Sequence, residues 1–132
     1  MTGAIPTFRY RDPEKAIEFL VEAFGFDRHL VAMDDGEVVH AQLTLGDGMV
    51  MLGAVGDDEY GRLFSAVEDG TPPTSSAYVV VDDPYAHAER ARAAGAEIVM
   101  EPTEQDYGGA NYVARDPAGF VWSFGSYDPW AE

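Results

Sequence analysis

The sequence contains no cysteine in its 132 residues. The chain therefore cannot form a disulfide scaffold, a cysteine-ligated zinc site or a thiolate nucleophile. Basic residues are also scarce. The sequence has 8 lysines and arginines but 24 acidic residues, which gives a formal net charge of −16. Nucleic acids and anionic membranes both require a cationic surface, so we expect neither as a partner. An acidic surface of this kind attracts cations and cationic small molecules instead.

Long apolar runs are missing as well. The longest largely apolar run, Met49 to Val55, is far shorter than the roughly 20 residues of a membrane-spanning helix. The first residues, Met1 to Pro6, show neither the basic start nor the apolar centre of an export signal. Hydrophobic residues make up 46% of the chain, which is enough for a buried core. We therefore predict one cytoplasmic globular domain covering residues 1–132.

The sequence does contain a pattern that is repeated in its two halves. A strand-like segment runs into Asp12-Pro13 in the first half and into Asp82-Asp83-Pro84 in the second. Aspartate suits a helix N-cap, and proline suits the first helical position. Each helical stretch then ends at a glycine, Gly25 in the first half and Gly95 in the second. If Asp82 is the second cap, Asp82 and Gly95 follow Asp12 and Gly25 by the same number of residues.

Three further strand-like segments follow each predicted helix, separated by glycine-containing turns. The pattern predicts an α+β fold of two βαβββ units, at about residues 4–55 and 76–126. Residues 56–75 form the connector, in which Tyr60, Leu63, Phe64 and Val67 keep a helical spacing. Since long ordered loops in compact domains are often functional, we expect a short helix or a lid there.

Strand alternation divides the predicted side chains between two faces. In the third strand it places Val39, Ala41, Leu43 and Leu45 under the helix, and Val38, His40, Gln42 and Thr44 on the opposite face. His40 is the histidine best placed to contact a ligand or to shuttle a proton near neutral pH. The alternative is that this polar face is simply hydrated. His29 and His87 are predicted to be solvated.

The same alternation assigns the outer strands of each unit. Thr7 and Arg9 are expected on the face away from the first helix, with Phe8 and Tyr10 beneath it. In the second unit Ser76, Tyr78 and Ser123 are expected on the corresponding face. The aromatic residues of the last strand, Phe120, Trp122 and Phe124, are expected under the second helix.

The chain resembles the vicinal oxygen chelate superfamily, which includes glyoxalase I, bleomycin-resistance proteins and extradiol dioxygenases. The resemblance runs from about Ala4 to Ser126. Its most specific part is the segment Tyr112 to Trp122, with a strand, the turn Asp116-Pro117-Ala118-Gly119 and an apolar strand. It implies that each unit curls into a half-barrel, and that paired half-barrels surround a cleft.

The resemblance also implies four positions for the ligands of a divalent metal ion. In this sequence they are occupied by Ile5, Met51, Ser76 and Ser123. None is a histidine, glutamine or glutamate, the nitrogen and oxygen donors that such members use. We therefore predict no metal site and no cofactor.

Bleomycin-resistance proteins are the natural comparison within this superfamily, because they lack the metal and bind an antibiotic as dimers. The resemblance thus implies a homodimer that binds a small organic molecule, with an antibiotic as one candidate. The expected ligand-binding residues are His40, Gln42, Thr44, Thr7, Arg9, Met51, Ser76, Tyr78 and Ser123.

Two questions stay open at this point. The alternative function is that of a lyase, isomerase or dioxygenase of the same superfamily, using His40 or a metal site at other residues. The charge of the ligand is also undecided. The net charge favours a cationic ligand, whereas an inward-pointing Arg9 favours an anionic or carbonyl-bearing one.

Overall fold

Both predicted βαβββ units are present in the computed structural model, which describes residues 3–131, and the α+β fold is confirmed. The first unit comprises β1 (Thr7–Tyr10), α1 (Pro13–Phe24), β2 (Asp27–Asp34), β3 (Glu37–Leu45) and β4 (Gly48–Ala54). The second comprises β5 (Ala77–Val80), α2 (Pro84–Ala93), β6 (Glu97–Glu104), β7 (Ala110–Arg115) and β8 (Val121–Gly125). Within residues 3–131 neither helix is long and apolar enough to cross a bilayer.

Each unit forms its own four-stranded sheet. The strand orders are β1-β4-β3-β2 and β5-β8-β7-β6. The first strand of each unit pairs in parallel with the last, and the other neighbours are antiparallel. This order brings the side chains of β1 next to those of β4 and, one strand further, to those of β3. The strands that carry the predicted ligand-binding residues are therefore neighbours.

The helices begin at aspartate caps followed by proline, as predicted, but the second cap is one residue later than expected. Asp12 accepts a hydrogen bond from the backbone of Lys15 at the start of α1. At the start of α2 the cap is Asp83, which accepts from the backbone of Tyr85 and Ala86. The assignment to Asp82 was wrong because two adjacent aspartates precede the proline, and only the one directly before it lies at the N-cap.

The helix-facing sides of the two sheets share one hydrophobic core. Phe8 of β1 lies 4.9 Å from Trp122 of β8, and Phe24 of α1 lies 4.6 Å from Phe124, measured between ring centroids. Trp122 and Phe124 are fully buried. The sequence predicts that the aromatic residues of each unit pack under the helix of that unit. This prediction is incomplete, because aromatic side chains of the two units also pack against each other.

A buried carboxylate also links the two units. Asp116 accepts hydrogen bonds from the Tyr10 hydroxyl (2.7 Å) and from Nε1 of Trp122 (3.1 Å). The backbone amides of Ala118 and Phe120 donate to it as well, each at 3.0 Å. Burial raises the pKa of Asp116, and these hydrogen bonds oppose that rise. The turn that carries the family resemblance thus has a structural role.

His87 corrects another prediction, because it lies between the units and is not a solvated surface residue. Its Nε2 lies 2.7 Å from the carbonyl oxygen of Phe24, and its Nδ1 is hydrogen-bonded to the Tyr112 hydroxyl. Since the carbonyl can only accept, Nε2 carries the proton and Nδ1 accepts from Tyr112. Burial lowers the pKa of His87, while the Phe24 carbonyl opposes that shift.

Candidate ligand-binding site

Six of the predicted residues lie together on the sheet face of the first unit that points away from α1. We call this surface, formed by Thr7, Arg9, His40, Gln42, Thr44, Met49, Met51 and Gly53, the first open face. Strand pairing arranges it in rows across β1, β4 and β3, one being Arg9, Gly53 and His40. Neighbouring strands lie about 4.8 Å apart, so the Cα atoms of Arg9 and His40 are about 10 Å apart across Gly53.

A β-bulge near the start of β3 changes one part of the predicted alternation. Ala32 pairs with His40 and Met33 pairs with Val38, so Val39 has no partner on β2. Val38 is consequently buried at 6% exposure, whereas Val39 is 45% exposed. The prediction was wrong for these two valines and holds from His40 onward. Two adjacent valines give the sequence no signal of which one a bulge displaces.

Arg9 crosses the first open face because Gly53 leaves room for it. A Cβ atom at position 53 would lie 2.8 Å from Nη1 of Arg9 and 3.0 Å from the Val39 carbonyl oxygen. Nη1 of Arg9 donates to the carbonyl oxygen of Ala54 at 3.1 Å. Arg9 therefore points across the sheet over β4, and its side chain is half-buried there.

Two aromatic rings of the connector cover the guanidinium of Arg9. Its Cζ lies 5.1 Å from the ring centroid of Tyr60 and 5.2 Å from that of Phe64, within the range of a cation–π interaction. Both rings flank the 3₁₀ turn Gly61–Leu63. Asp58 accepts from the backbone amide of Gly61 at 2.7 Å and fixes the start of that turn. The spacing of these aromatic residues in the sequence predicts a lid or a short helix, but it does not predict that the two rings contact Arg9.

Within residues 3–131 no carboxylate forms an ion pair with Arg9. The ion pairs between residues 3 and 131 involve Arg11, Arg92 and Arg115, and none involves Arg9. Its guanidinium makes one hydrogen bond, to the Ala54 carbonyl oxygen, so further N–H groups are available for an outside acceptor. Nearby, Nε2 of His40 and Nε2 of Gln42 lie 3.2 Å apart. The face thus offers one strong cationic donor beside a polar pair.

The remaining predicted residues lie on the second unit. Tyr78 pairs with Ser123, which in turn pairs with Val113, and Ser76 lies exposed just before β5. We call the surface formed by Tyr78, Val80, Asn111, Val113 and Ser123 the second open face. The nine predicted residues therefore form two groups, one on each sheet.

The two open faces do not cover each other within one chain. Leu30, beside Gln42, is 45% exposed, and Met100, beside Val113, is 63% exposed. Three cavities of a single chain, of about 550, 430 and 350 Å³, contain none of the nine residues in their walls. The smallest of these three lies against Tyr10, Phe19 and Asp116. A single chain thus presents the predicted residues on open sheet surfaces.

The residues at the four family metal positions do not fit a divalent ion. Ile5 offers no donor atom, Met51 offers a thioether, and Ser76 and Ser123 offer neutral hydroxyls, which are poor ligands for such an ion. Elsewhere in the described part of the chain, no group of three or more histidine, aspartate or glutamate side chains is arranged to hold a metal.

Comparison with known proteins agrees with this architecture. The family model of the Glyoxalase/Bleomycin resistance protein/Dioxygenase superfamily matches residues 5–124. An uncharacterized protein of Mycobacterium tuberculosis (strain H37Rv) is 32% identical over 121 residues, which cover 86% of this chain and 68% of the relative. The crystal structure of TioX from Micromonospora sp. ML1 superposes with a TM-score of 0.77 at 30% identity, covering 99% of this chain and all of TioX. The fosfomycin resistance protein FosX of Mesorhizobium loti shares the fold at 16% identity and a TM-score of 0.65, with 97% and 93% of the two chains covered.

Proposed function

Because the chain belongs to the Glyoxalase/Bleomycin resistance protein/Dioxygenase superfamily, we propose that it binds a small organic molecule on the first open face without a metal ion. In this proposal Arg9 recognises a carboxylate or carbonyl oxygen of the ligand, with His40, Gln42, Thr44, Thr7 and Met51 around it. The observation that carries the proposal is the position of Arg9, a half-buried residue whose guanidinium crosses the face without a carboxylate partner in residues 3–131.

The orientation of Arg9 supports an anionic or carbonyl-bearing ligand over a cationic one at this face. Surface charges more than about 8–10 Å away are largely screened at physiological salt, so the net charge of −16 acts only weakly there. A guanidinium in contact with the ligand forms charge-assisted hydrogen bonds and matches the planar geometry of a carboxylate. The local donor therefore determines the preferred charge of the group that binds beside it.

We further propose that a second copy of the chain completes the site. Exposed apolar side chains lie on or beside both open faces, including Leu30, Val80 and Met100. Packing the first open face of one copy against the second open face of its partner would cover them and create two equivalent clefts. Ser76, Tyr78 and Ser123 of one copy would then contribute to the same cleft as Arg9 of the other.

One other candidate function uses His40, which lies in the same row of the first open face as Arg9. Nε2 of Gln42 can only donate, so it donates to Nε2 of His40, and a substrate would have to displace Gln42 before it could transfer a proton to that nitrogen. The second candidate is a metal-independent lyase or isomerase of the same superfamily with His40 as its base. The two functions differ in outcome, because a binding protein gives saturable affinity without consuming the ligand.

The proposal is tested with 1-naphthoate and its neutral amide, 1-naphthamide, as probes. Isothermal titration should detect 1-naphthoate with higher affinity than the amide. Loss of a hydrogen bond to a charged group costs about 1.5–3 kcal/mol, so Arg9→Ala should weaken 1-naphthoate binding by about 10- to 100-fold. Arg28→Ala, at an exposed arginine of β2, is the matched control and should leave it unchanged. Absence of binding, or equal affinity in Arg9→Ala, would overturn the proposal.

A further inference from the structure

Three tyrosines form an exposed aromatic group at the end of the second open face. The rings of Tyr107 and Tyr127 have centroids 5.3 Å apart and planes inclined at 80°. The hydroxyl of Tyr78 donates to the carbonyl oxygen of Tyr127 at 2.8 Å and so joins the same group. Their exposed fractions are 42% for Tyr78, 59% for Tyr107 and 41% for Tyr127. We call these three residues the tyrosine cluster.

Neighbouring side chains hold the tyrosine cluster in place. Nδ2 of Asn111 donates to the Tyr107 hydroxyl at 3.0 Å, and Nε2 of Gln105 donates to Oδ1 of Asn111 at 2.8 Å. Gly125 provides the space in which Tyr78 lies, because a Cβ there would collide with the Tyr78 hydroxyl and with Cβ of Asn111. The rings are therefore positioned by hydrogen bonds and by a glycine, as Arg9 is positioned by Gly53.

The connector contains a pair of rings with which this one can be compared. Tyr60 and Phe64, with centroids 5.0 Å apart and planes inclined at 59°, hold the guanidinium of Arg9 at 5.1 and 5.2 Å. Tyr107 and Tyr127 have almost the same separation, yet no arginine or lysine of residues 3–131 lies over their rings. The two aromatic pairs are thus comparable in spacing, and only the first has an internal cation.

The segments that carry Tyr107 and Tyr127 are acidic. Asp106 and Asp128 adjoin Tyr107 and Tyr127 in sequence. Between residues 97 and 131 the only basic residue is Arg115, which is paired with Glu97. Aromatic faces and carboxylates both attract a positive charge, and an organic cation gains most because it is weakly hydrated.

We propose that the tyrosine cluster is a binding site for an organic cation, such as a quaternary ammonium group of a small molecule. The tyrosine cluster is complete within one chain and lies on the second sheet. It therefore does not require the function proposed for Arg9, although the proposed dimer would bring it to the same cleft as the partner's Arg9. The rings supply cation–π contacts, and Asp106 and Asp128 supply the favourable electrostatic potential.

Choline and its neutral isostere 3,3-dimethylbutan-1-ol are the probes for this site. Ligand-observed NMR titration should detect choline binding, with a Kd that is lower than that of the alcohol. Tyr127→Leu and Tyr107→Leu should each weaken choline binding by about 3- to 30-fold. Tyr127→Phe, which keeps the aromatic face, should retain the affinity. Tyr85→Leu, at an exposed tyrosine of α2 outside the cluster, is the matched control.

Two results would contradict the proposed organic-cation site. One is the absence of choline binding, or equal binding of the neutral alcohol. The other is unchanged choline affinity in both leucine variants, each checked for folding by thermal denaturation. Arg9→Ala separates this proposal from the previous one, because it should weaken 1-naphthoate binding without weakening choline binding.

Discussion

The two hydrogen bonds of His87 require its imidazole to be neutral. Nε2–H donates to the Phe24 carbonyl, and Nδ1 accepts from the Tyr112 hydroxyl, so a second proton on Nδ1 would break the bond to Tyr112. These contacts join α2 to the end of α1 and to β7. The imidazole of His87 thus connects the first unit to the second, and its protonation state affects the stability of the whole fold.

We predict that His87 makes the protein less stable in mild acid. Burial lowers the pKa of His87 in the fold, so the unfolded chain binds more protons below about pH 6.5. The contribution of neutral His87 to the free energy of unfolding is therefore fully present above about pH 6.5 and is lost as the pH falls towards the lowered pKa. Urea denaturation at a series of pH values between 7.5 and 5 measures this loss.

His87→Gln should reduce the pH dependence of stability across that range, because glutamine does not titrate. His29→Gln is the matched control, since His29 is exposed on β2. An unchanged slope in His87→Gln would contradict the role assigned to His87.

At the scale of elements, the position of Arg9 depends on the absence of a side chain in β4. We predict that Gly53→Ala displaces the Arg9 guanidinium, because the new methyl group would meet Nη1 of Arg9 and the Val39 carbonyl. The backbone carbonyl cannot move easily, so we also expect a loss of stability of about 1–3 kcal/mol. Titration with 1-naphthoate and chemical denaturation measure the two effects.

The matched control for this prediction lies on the same strand. A Cβ at Gly48 would have the Leu45 carbonyl oxygen as its nearest neighbour, at 3.4 Å. Gly48→Ala should therefore change neither the 1-naphthoate affinity nor the stability appreciably. Equal effects of the two substitutions would show that Gly53 has no special relation to Arg9.

The same elements show how far the sequence predicts this fold. Strand alternation correctly places His40, Gln42 and Arg9 on the face away from α1, because one side of the sheet must be buried. It fails at Val38 and Val39, where a bulge depends on pairing with β2 and not on local residue type. Local pattern thus predicts the faces of regular strands but not their irregularities.

Contacts between distant segments account for the other failures. His87 has no neighbour in sequence that indicates burial, since its partners Phe24 and Tyr112 belong to α1 and β7. The contact of Tyr60 and Phe64 with Arg9 is equally non-local. Such contacts arise only when the two repeats pack together, so the candidate site is predicted less completely than the strands that carry it.

At the scale of the whole molecule, the two proposed sites lie on different open faces of one chain. In the proposed dimer, Arg9 of one copy and the tyrosine cluster of its partner border the same cleft. A ligand that carries both a carboxylate and an organic cation would then contact both sites at once. The effective concentration of the second group at its site would raise the affinity above that of either group alone.

The dimer makes a prediction that does not require a ligand. Leu30 lies beside Gln42 at the edge of the first open face and is 45% exposed in one chain. If a partner covers this face, Leu30→Glu places a charge in an apolar interface and should dissociate the dimer. Light scattering at micromolar concentration should give twice the 14.3 kDa chain mass for the parent protein and the chain mass for Leu30→Glu.

Leu63→Glu is the matched control, because Leu63 is 73% exposed on the connector and lies outside both open faces. It should remain dimeric. Circular dichroism should be the same for both variants, since each position is solvent-exposed in the single chain and the substitutions leave the shared core intact. A parent protein that scatters as a monomer would contradict the dimer itself. A dimeric Leu30→Glu variant would instead contradict the proposed packing, and the second copy would then have to lie against a different surface.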